Sequence, residues 1–203
     1  MLRLDNTFEV VYLAGFVVGS IIRKVYTHGR RRDKTTDVRN NWLDTILVSL
    51  AGAGLFAPLF YLLTPWLDFA RYRLPGWTGW IGTALFMAAL VLLWRSHADL
   101  GKNWSATLQI KKGHSLVTGG VYQYMRHPMY AAHLLWAIAQ ALLLANWVAG
   151  PAFLVTLIPL CLLRLPREEK MLLDHFGEQY RLYMNQTGRV IPHLWKNKLH
   201  RGR

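Results

Sequence analysis

From His127 to Leu163 the chain runs 37 residues without a single Asp, Glu, Lys or Arg. As one helix, at ~1.5 Å per residue, that run would reach ~55 Å, nearly twice the ~30 Å hydrocarbon core of a bilayer. A straight single span is therefore excluded. Asn146 and the Gly150-Pro151 pair supply turn chemistry near its middle, so the run reads as two short helices in a tight hairpin. Three further uncharged stretches precede it: Val10–Ile22, Thr45–Leu67 and Leu74–Trp94, of 13, 23 and 21 residues. Charged residues make up only 17% of the 203, against about 25% in soluble domains. The pattern predicts an all-α integral membrane protein with five transmembrane helices. A soluble enzyme, a disordered chain and a disulfide scaffold are excluded, the lone Cys161 having no partner to bridge.

The first span is the shortest, bounded by Glu9 and Arg23; an uncleaved signal anchor is its other reading, since Arg23-Lys24 follows in place of a small-residue cleavage site. Counting Lys and Arg by side settles the direction. Arg23–Arg39 carries seven, Arg95–Arg126 five and Arg164 to the C-terminus nine, whereas the opposite side holds Arg3, Arg71 and Arg73. Basic loops stay cytoplasmic, which puts the N-terminus outside and the C-terminal segment inside. Trp66, Trp77, Trp80, Trp94 and Trp147 fall near the span ends, where amphipathic rings favour the interface. The formal charge of +13 is thus a topology signal and an attraction to anionic lipid, not a nucleic-acid footprint. One membrane domain, 1–203, is expected, with a three-span scaffold over 1–99 and a catalytic core over 100–195 built around the hairpin 127–163.

The polar material is concentrated in two cytoplasmic segments that flank the hairpin. Neither holds a Gly-rich dinucleotide turn, a phosphate-cradling Gly-Lys-Ser loop or zinc-type Cys/His spacing. They hold instead Gln109, then His114-Ser115-Leu116-Val117 and Gly120-Val121-Tyr122, then Arg126-His127-Pro128-Met129-Tyr130. Beyond the hairpin come Arg164 with Glu168-Glu169, then Phe176-Gly177 with Tyr180 and Tyr183, and Thr187 to Pro192. In this order the motifs resemble the isoprenylcysteine carboxyl methyltransferase family, particularly its compact five-span prokaryotic members, over about Gly101 to Pro192. The resemblance implies S-adenosyl-L-methionine as cofactor and the C-terminal carboxylate of a prenylated cysteine as methyl acceptor. It implies that Gln109, His114, Ser115, Leu116, Val117, Tyr122, His127, Pro128, Met129, Tyr130 and Glu168 line the cofactor pocket. Arg164 then holds the substrate carboxylate, and no metal is involved. Expected partners are membrane lipids and a lipidated small molecule or protein C-terminus. The expected membrane is the plasma membrane of a prokaryote or the endoplasmic reticulum of a eukaryote, with the active site cytoplasmic.

Each residue also has a plainer reading. Arg164 closes a charge-free run, as an anchor snorkelling to headgroups does. Pro166 suits the first position of a helix, which would separate Arg164 from Glu168 and leave Glu169 as a helix-start acid facing the macrodipole. His127 can satisfy backbone at the hairpin entrance, His114 can be solvent-exposed loop polarity, Tyr122 and Tyr130 can be interface aromatics, and Leu116 and Val117 can be packing. His133 and Gln140, inside the fourth span, read as hairpin hydrogen bonds, with tunnel lining as the lesser option. Leu172, Leu173, Phe176, Tyr180 and Tyr183 recur at helical spacing as an apolar face.

A carboxylate acceptor explains what is missing. It is already ionised near neutral pH, so methyl transfer to it needs no general base, and the chain offers no Ser-His-Asp or paired-carboxylate set. Alignment is what remains for the protein to supply. Two other functions stay open on the residues: methyl transfer to a phospholipid amine or small thiol, where a base such as His127 or Glu168 becomes essential, and a non-catalytic membrane protein that binds lipid or a partner.

Overall fold

The computed structural model describes residues 6–27, 35–38, 41–101, 109–111 and 115–193. Among these residues six α-helices carry the fold: α1 (Thr7–Thr27), α2 (Trp42–Leu63), α3 (Gly76–Leu100), α4 (Pro128–Leu143), α5 (Ala152–Phe176) and the short α6 (Glu178–Gln186). Two of them, α2 and α3, are long and apolar enough to cross a membrane by length and composition. A short ribbon that the sequence reading did not include joins the segments before α2 and after α3. There Thr35–Val38 (β1) runs antiparallel to Gln109–Lys111 (β2).

Polar side chains fix how the helices meet. Asn41 caps α2 reciprocally with Asp44: the Asp44 amide donates to Asn41 Oδ1 at 2.9 Å and the Asn41 amide to Asp44 Oδ2 at 3.3 Å. Arg167 of α5 also reaches the fully buried Asp44, at 3.1 Å, tying the start of α2 to α5. Lower on the same pair of helices Gly54 faces the start of α5, where a Cβ would lie 2.6 Å from the Ala152 carbonyl oxygen and 2.9 Å from Phe153 Cα. Only glycine permits that approach.

The 127–163 run holds α4 and the first half of α5, which continues to Phe176, and Asn146 organises the turn between them. Its Oδ1 accepts from the amides of Val148 and Ala149 at 3.0 and 2.9 Å, and its Nδ2 donates to the Leu67 carbonyl at 2.7 Å. The turn is thereby pinned to the α2–α3 connection, where the Trp147 amide also donates to Ala70 O at 2.9 Å. Gln140, fully buried, donates to Ala149 O at 2.7 Å and accepts from the Tyr12 hydroxyl at 3.0 Å. It is the hairpin hydrogen bond expected of it, and it brings α1 into the same knot.

One expectation fails here. Pro166 does not begin a helix; α5 passes through both Pro159 and Pro166 to Phe176. Each proline forgoes a backbone hydrogen bond to the residue four before it, Val155 and Leu162, which are 65% and 68% exposed. The opposite stripe, Leu157, Leu160, Cys161, Arg164, Leu165, Glu169 and Met171, is buried, and its packing outweighs the local preference. Continuity matters for chemistry: Arg164 and Glu168, four residues apart, share one face of α5.

Candidate active site

A cavity of about 700 Å³ opens where the two polar segments that flank the α4–α5 hairpin meet the helices. Arg126 and His127 line it, and behind them lies an ion-paired knot around Glu169. Arg126 Nε lies 2.9 Å from Glu169 Oε1, Arg189 Nη2 2.7 Å from Oε2, and His127 Nε2 3.3 Å from Oε1. Arg126 also donates to the carbonyls of Met184, at 3.0 Å, and Thr187. The backbone repeats the link: the Arg126 amide donates to Gly188 O at 2.8 Å and the His127 amide to Arg189 O at 2.9 Å. The segment after α6 is thus stitched to the entrance of α4. Burial raises the Glu169 carboxyl's pKa, but hydrogen bonds from His127, Arg126 and Arg189 together outweigh it and hold the group down at about 2. Glu169 is therefore not the helix-start acid of the plainer reading. It is the carboxylate that two arginines and His127 share.

Beside the knot stands Glu168. Tyr130 donates its hydroxyl to Glu168 Oε2 at 3.0 Å, and His127 Nδ1 lies 4.0 Å from the other oxygen. The His127 ring, 4% exposed, meets Tyr130 edge-on with centroids 5.7 Å apart. The histidine at the hairpin entrance serves two carboxylates instead of backbone carbonyls. Arg164 is buried one turn before Glu168, and both line the cavity.

A third element holds the loop that faces them. Gly120 has φ +61°, and the Asp99 carboxylate occupies the place of its missing Cβ while accepting from the Val121 amide at 2.8 Å. Arg95 pairs with Asp99 at 3.2 Å. The turn Gly120–Gln123 that follows buries Tyr122, whose hydroxyl donates to Ser96 O at 3.3 Å and whose carbonyl accepts from the Tyr183 hydroxyl at 2.6 Å. Burial, then the nearby Glu168 charge, pushes the Tyr122 hydroxyl's pKa up, so it stays protonated as a donor.

Of the residues singled out from sequence, Ser115, Leu116, Val117 and Tyr122 line the cavity on the loop side. His127, Pro128, Met129 and Tyr130 line it on α4, and Arg164 and Glu168 on α5. Gln109 lies in β2, and His114 falls outside the described residues. Sequence reasoning missed three contributions. Arg126 and Arg189 build the knot, although Arg126 opens the motif already singled out. Tyr180 and Tyr183, read as an apolar face, also border the cavity. Finally, α1 and α2 supply a wall of their own, including Ser20, Arg23, Ala51, Gly52, Leu55 and Phe56, which no motif signals.

Comparison with known proteins bears on what this cavity is for. The model of the isoprenylcysteine carboxyl methyltransferase (ICMT) family matches residues 68–174, more than half of the chain. The chain belongs to that family. Among curated relatives, a protein-S-isoprenylcysteine O-methyltransferase of Tribolium castaneum is 33% identical over 65% of this chain and 50% of its own length. The Arabidopsis thaliana protein-S-isoprenylcysteine O-methyltransferase A is 34% identical over 55% of this chain and 54% of its own. The chain thus spans about half the length of these relatives. Both are eukaryotic, and the compact prokaryotic subtype is not borne out. The structure of a eukaryotic intramembrane Ras methyltransferase, ICMT, superposes with a TM-score of 0.54 at 24% identity, covering 91% of this chain and 63% of that one. The ICMT-family fold is shared.

Proposed function

We propose that this chain is an S-adenosyl-L-methionine-dependent methyltransferase that esterifies the carboxylate of a prenylated cysteine or a similar isoprenoid-thioether acid. One observation carries the reading: a single cavity joins a buried guanidinium, Arg164, and a tyrosine-held carboxylate, Glu168, to an apolar wall from α2 and α5. The donor set suits the cofactor. Glu168, oriented by Tyr130, is a counter-ion for an ammonium, and Leu116, Val117 and Pro128 offer apolar surface to a flat base. When bound, S-adenosyl-L-methionine supplies a methyl group on a positively charged sulfur.

Arg164 presents a planar fork that matches a carboxylate bidentately and turns one acceptor oxygen towards the donor side. With Glu168 facing its ammonium, the bound donor would supply its methyl to the carboxylate oxygen that Arg164 presents, the electron pair of the carbon–sulfur bond staying with sulfur. Opposite charges cancel, so no proton moves and a water-poor cavity does not oppose the step. The Glu169 knot contributes by holding the α4 entrance, α5 and the segment after α6 in register, the positional control on which such alignment depends. The uncharged stretches within α1 to α5 are read as five spans with the cavity on the cytoplasmic side, so that a prenyl tail enters sideways from the bilayer while the polar cofactor arrives from water.

The test is transfer of labelled methyl from S-adenosyl-L-methionine to N-acetyl-S-farnesylcysteine by detergent-solubilised protein. The expected product carries base-labile label, as an ester does. Label that appears only on an amine or a thioether would move the acceptor class, and absence of transfer to any prenylated acid would remove the reading.

A further inference from the structure

The cavity has a mouth between α1 and α2. At one end of it the two helices meet, Phe16 standing edge-on to Phe56 with centroids 5.4 Å apart. Beyond that contact they find other partners: α1 packs on α3 and α4, and α2 on α5. Ser20, Arg23 and Lys24 on one side, and Val48 and Phe56 on the other, line the cavity and are also exposed. Residues that are wall and surface at once mark an opening. Between them Gly52 lines the cavity with open space before it: among the described residues, a Cβ there would meet no heavy atom within 4 Å. The α4 wall is closed off from this side by His133. Expected to bond within the hairpin, it places Nδ1 2.7 Å from the Met129 carbonyl oxygen of its own helix, and its ring stands edge-on to Phe153.

The pairing of α2 with α5 places Gly52 against Arg164. Phe153, Leu157, Leu160 and Arg164 form one buried stripe of α5, and all four line the cavity. Gly54 abuts Phe153 Cα, and from Phe153 to Arg164 is ~16 Å along the helix at ~1.5 Å per residue. Asp44, held by Arg167 at 3.1 Å, shows that α2 runs antiparallel to α5. Gly52 therefore lies nearer to Arg164 than Gly54 does, ~13 Å away along the axis by the same rise. An acceptor anchored at Arg164 by its carboxylate spans about seven bonds to the end of its first isoprene unit, or roughly 9 Å extended. Its second unit comes level with Gly52. We infer that the prenyl chain of the acceptor passes between α1 and α2 across Gly52, which makes Gly52 a specificity-determining position for chains longer than one isoprene unit. The inference rests on the acceptor class and the membrane placement proposed above. An acyl chain of a bilayer lipid is the other apolar occupant for such a slot, and the experiment separates the two.

The measurement is equilibrium binding to the full chain in phosphatidylcholine nanodiscs, with S-adenosylhomocysteine present, of two probes. One is N-acetyl-S-farnesylcysteine; the other is N-acetyl-S-dimethylallylcysteine, which stops after one isoprene unit. Wild-type protein should prefer the first by roughly a hundredfold or more, because its two further units leave water. Gly52→Leu fills the passage and should weaken the farnesyl probe by roughly tenfold or more while leaving the short probe within about twofold. Gly52→Val should give a smaller loss of the same kind, and it decides the matter where the leucine variant does not fold. Ala53→Leu adds the same bulk on the exposed side of α2 and should leave both probes within about twofold of wild type. S-adenosylhomocysteine affinity, measured by itself, should be the same in all of these proteins. A farnesyl preference that survives the Gly52 substitutions overturns the inference and leaves the slot to bilayer lipid. An equal loss of both probes, a loss as large in Ala53→Leu, or a fall in S-adenosylhomocysteine affinity overturns it too. Wild-type protein that binds neither probe strikes the proposed acceptor and this inference together. Binding needs no turnover, so a preference seen without methyl transfer strikes the proposed reaction and leaves this inference standing.

Discussion

Arg126 and Glu169, 43 residues apart in sequence, meet at 2.9 Å with both side chains only 10% exposed. The pair closes the two ends of the α4–α5 hairpin, and Arg189 and His127 also reach the carboxylate. Since the folded pKa of Glu169 is depressed from 4.5 to about 2, its contribution is fully present above the ordinary carboxylate range. It is lost as pH falls from about 4.5 towards 2. A shift of that size corresponds to on the order of 3 kcal/mol. Thermal unfolding in detergent followed between pH 6 and 3 should therefore show a steep loss of stability in wild type and a shallower one in Glu169→Gln, which starts lower. Equal slopes would deny Glu169 its role as the shared anion.

Arg164→Lys keeps the charge and discards the fork. Loss of a bidentate, charge-assisted contact costs about 1.5–3 kcal/mol, or roughly tenfold to a hundredfold. That loss should appear as a higher KM for N-acetyl-S-farnesylcysteine with unchanged S-adenosylhomocysteine affinity. A defect in cofactor binding of the same size would move Arg164 to the other half of the site.

Glu168 and its tyrosine should show the reverse split. Glu168→Gln removes the charge proposed to face the cofactor's ammonium and should weaken S-adenosylhomocysteine binding by at least tenfold. Tyr130→Phe deletes only the hydrogen bond that orients the carboxylate, worth about 1 kcal/mol, so it should weaken binding severalfold in the same assay. Isothermal titration on the two variants distinguishes a charge from its support, and a larger effect from Tyr130→Phe would reverse their roles.

How far the site was legible depended on where each signal resides. The hairpin followed from length alone, because 37 uncharged residues cannot form one span and Asn146 stood where a turn was needed. The cavity's polar residues followed from motif order, since Ser115 to Val117, Tyr122, His127 to Tyr130, Arg164 and Glu168 all face it. The reading of Pro166 failed because local preference says nothing about the buried stripe that carries α5 through it. Glu169 was misread for the same reason: its partners Arg126 and Arg189 are 43 and 20 positions away in the chain, and charge pairing at that range has no local signature. The α2 wall was invisible, because an apolar residue that faces a cavity is spelled like one that faces lipid, and Arg23 of α1 read only as the charge that ends the first span.

The five-span reading makes a demand that geometry within the chain does not. Tyr124, beside the loop that lines the cavity, and Glu178, at the start of α6, must lie on one side of the membrane, and Phe69, in the α2–α3 connection, on the other. Each side chain is open to reagent: Tyr124 is 40% exposed, Phe69 81% and Glu178 68%. The native Cys161 is buried and gives a quiet background. Single cysteines at 124 and 178 should stay unreactive to an impermeant maleimide added to intact cells and react after permeabilisation, while cysteine at 69 should react at once. In that reading two basic clusters hold the first pair inside, and the pinning of Asn146 to Leu67 O at 2.7 Å keeps the hairpin turn level with residue 69. Labelling of 124 and 178 from opposite sides would mean that the loop and α6 do not share a leaflet. The Tyr183–Tyr122 hydrogen bond at 2.6 Å, and with it the closed cavity, could then not form in the membrane.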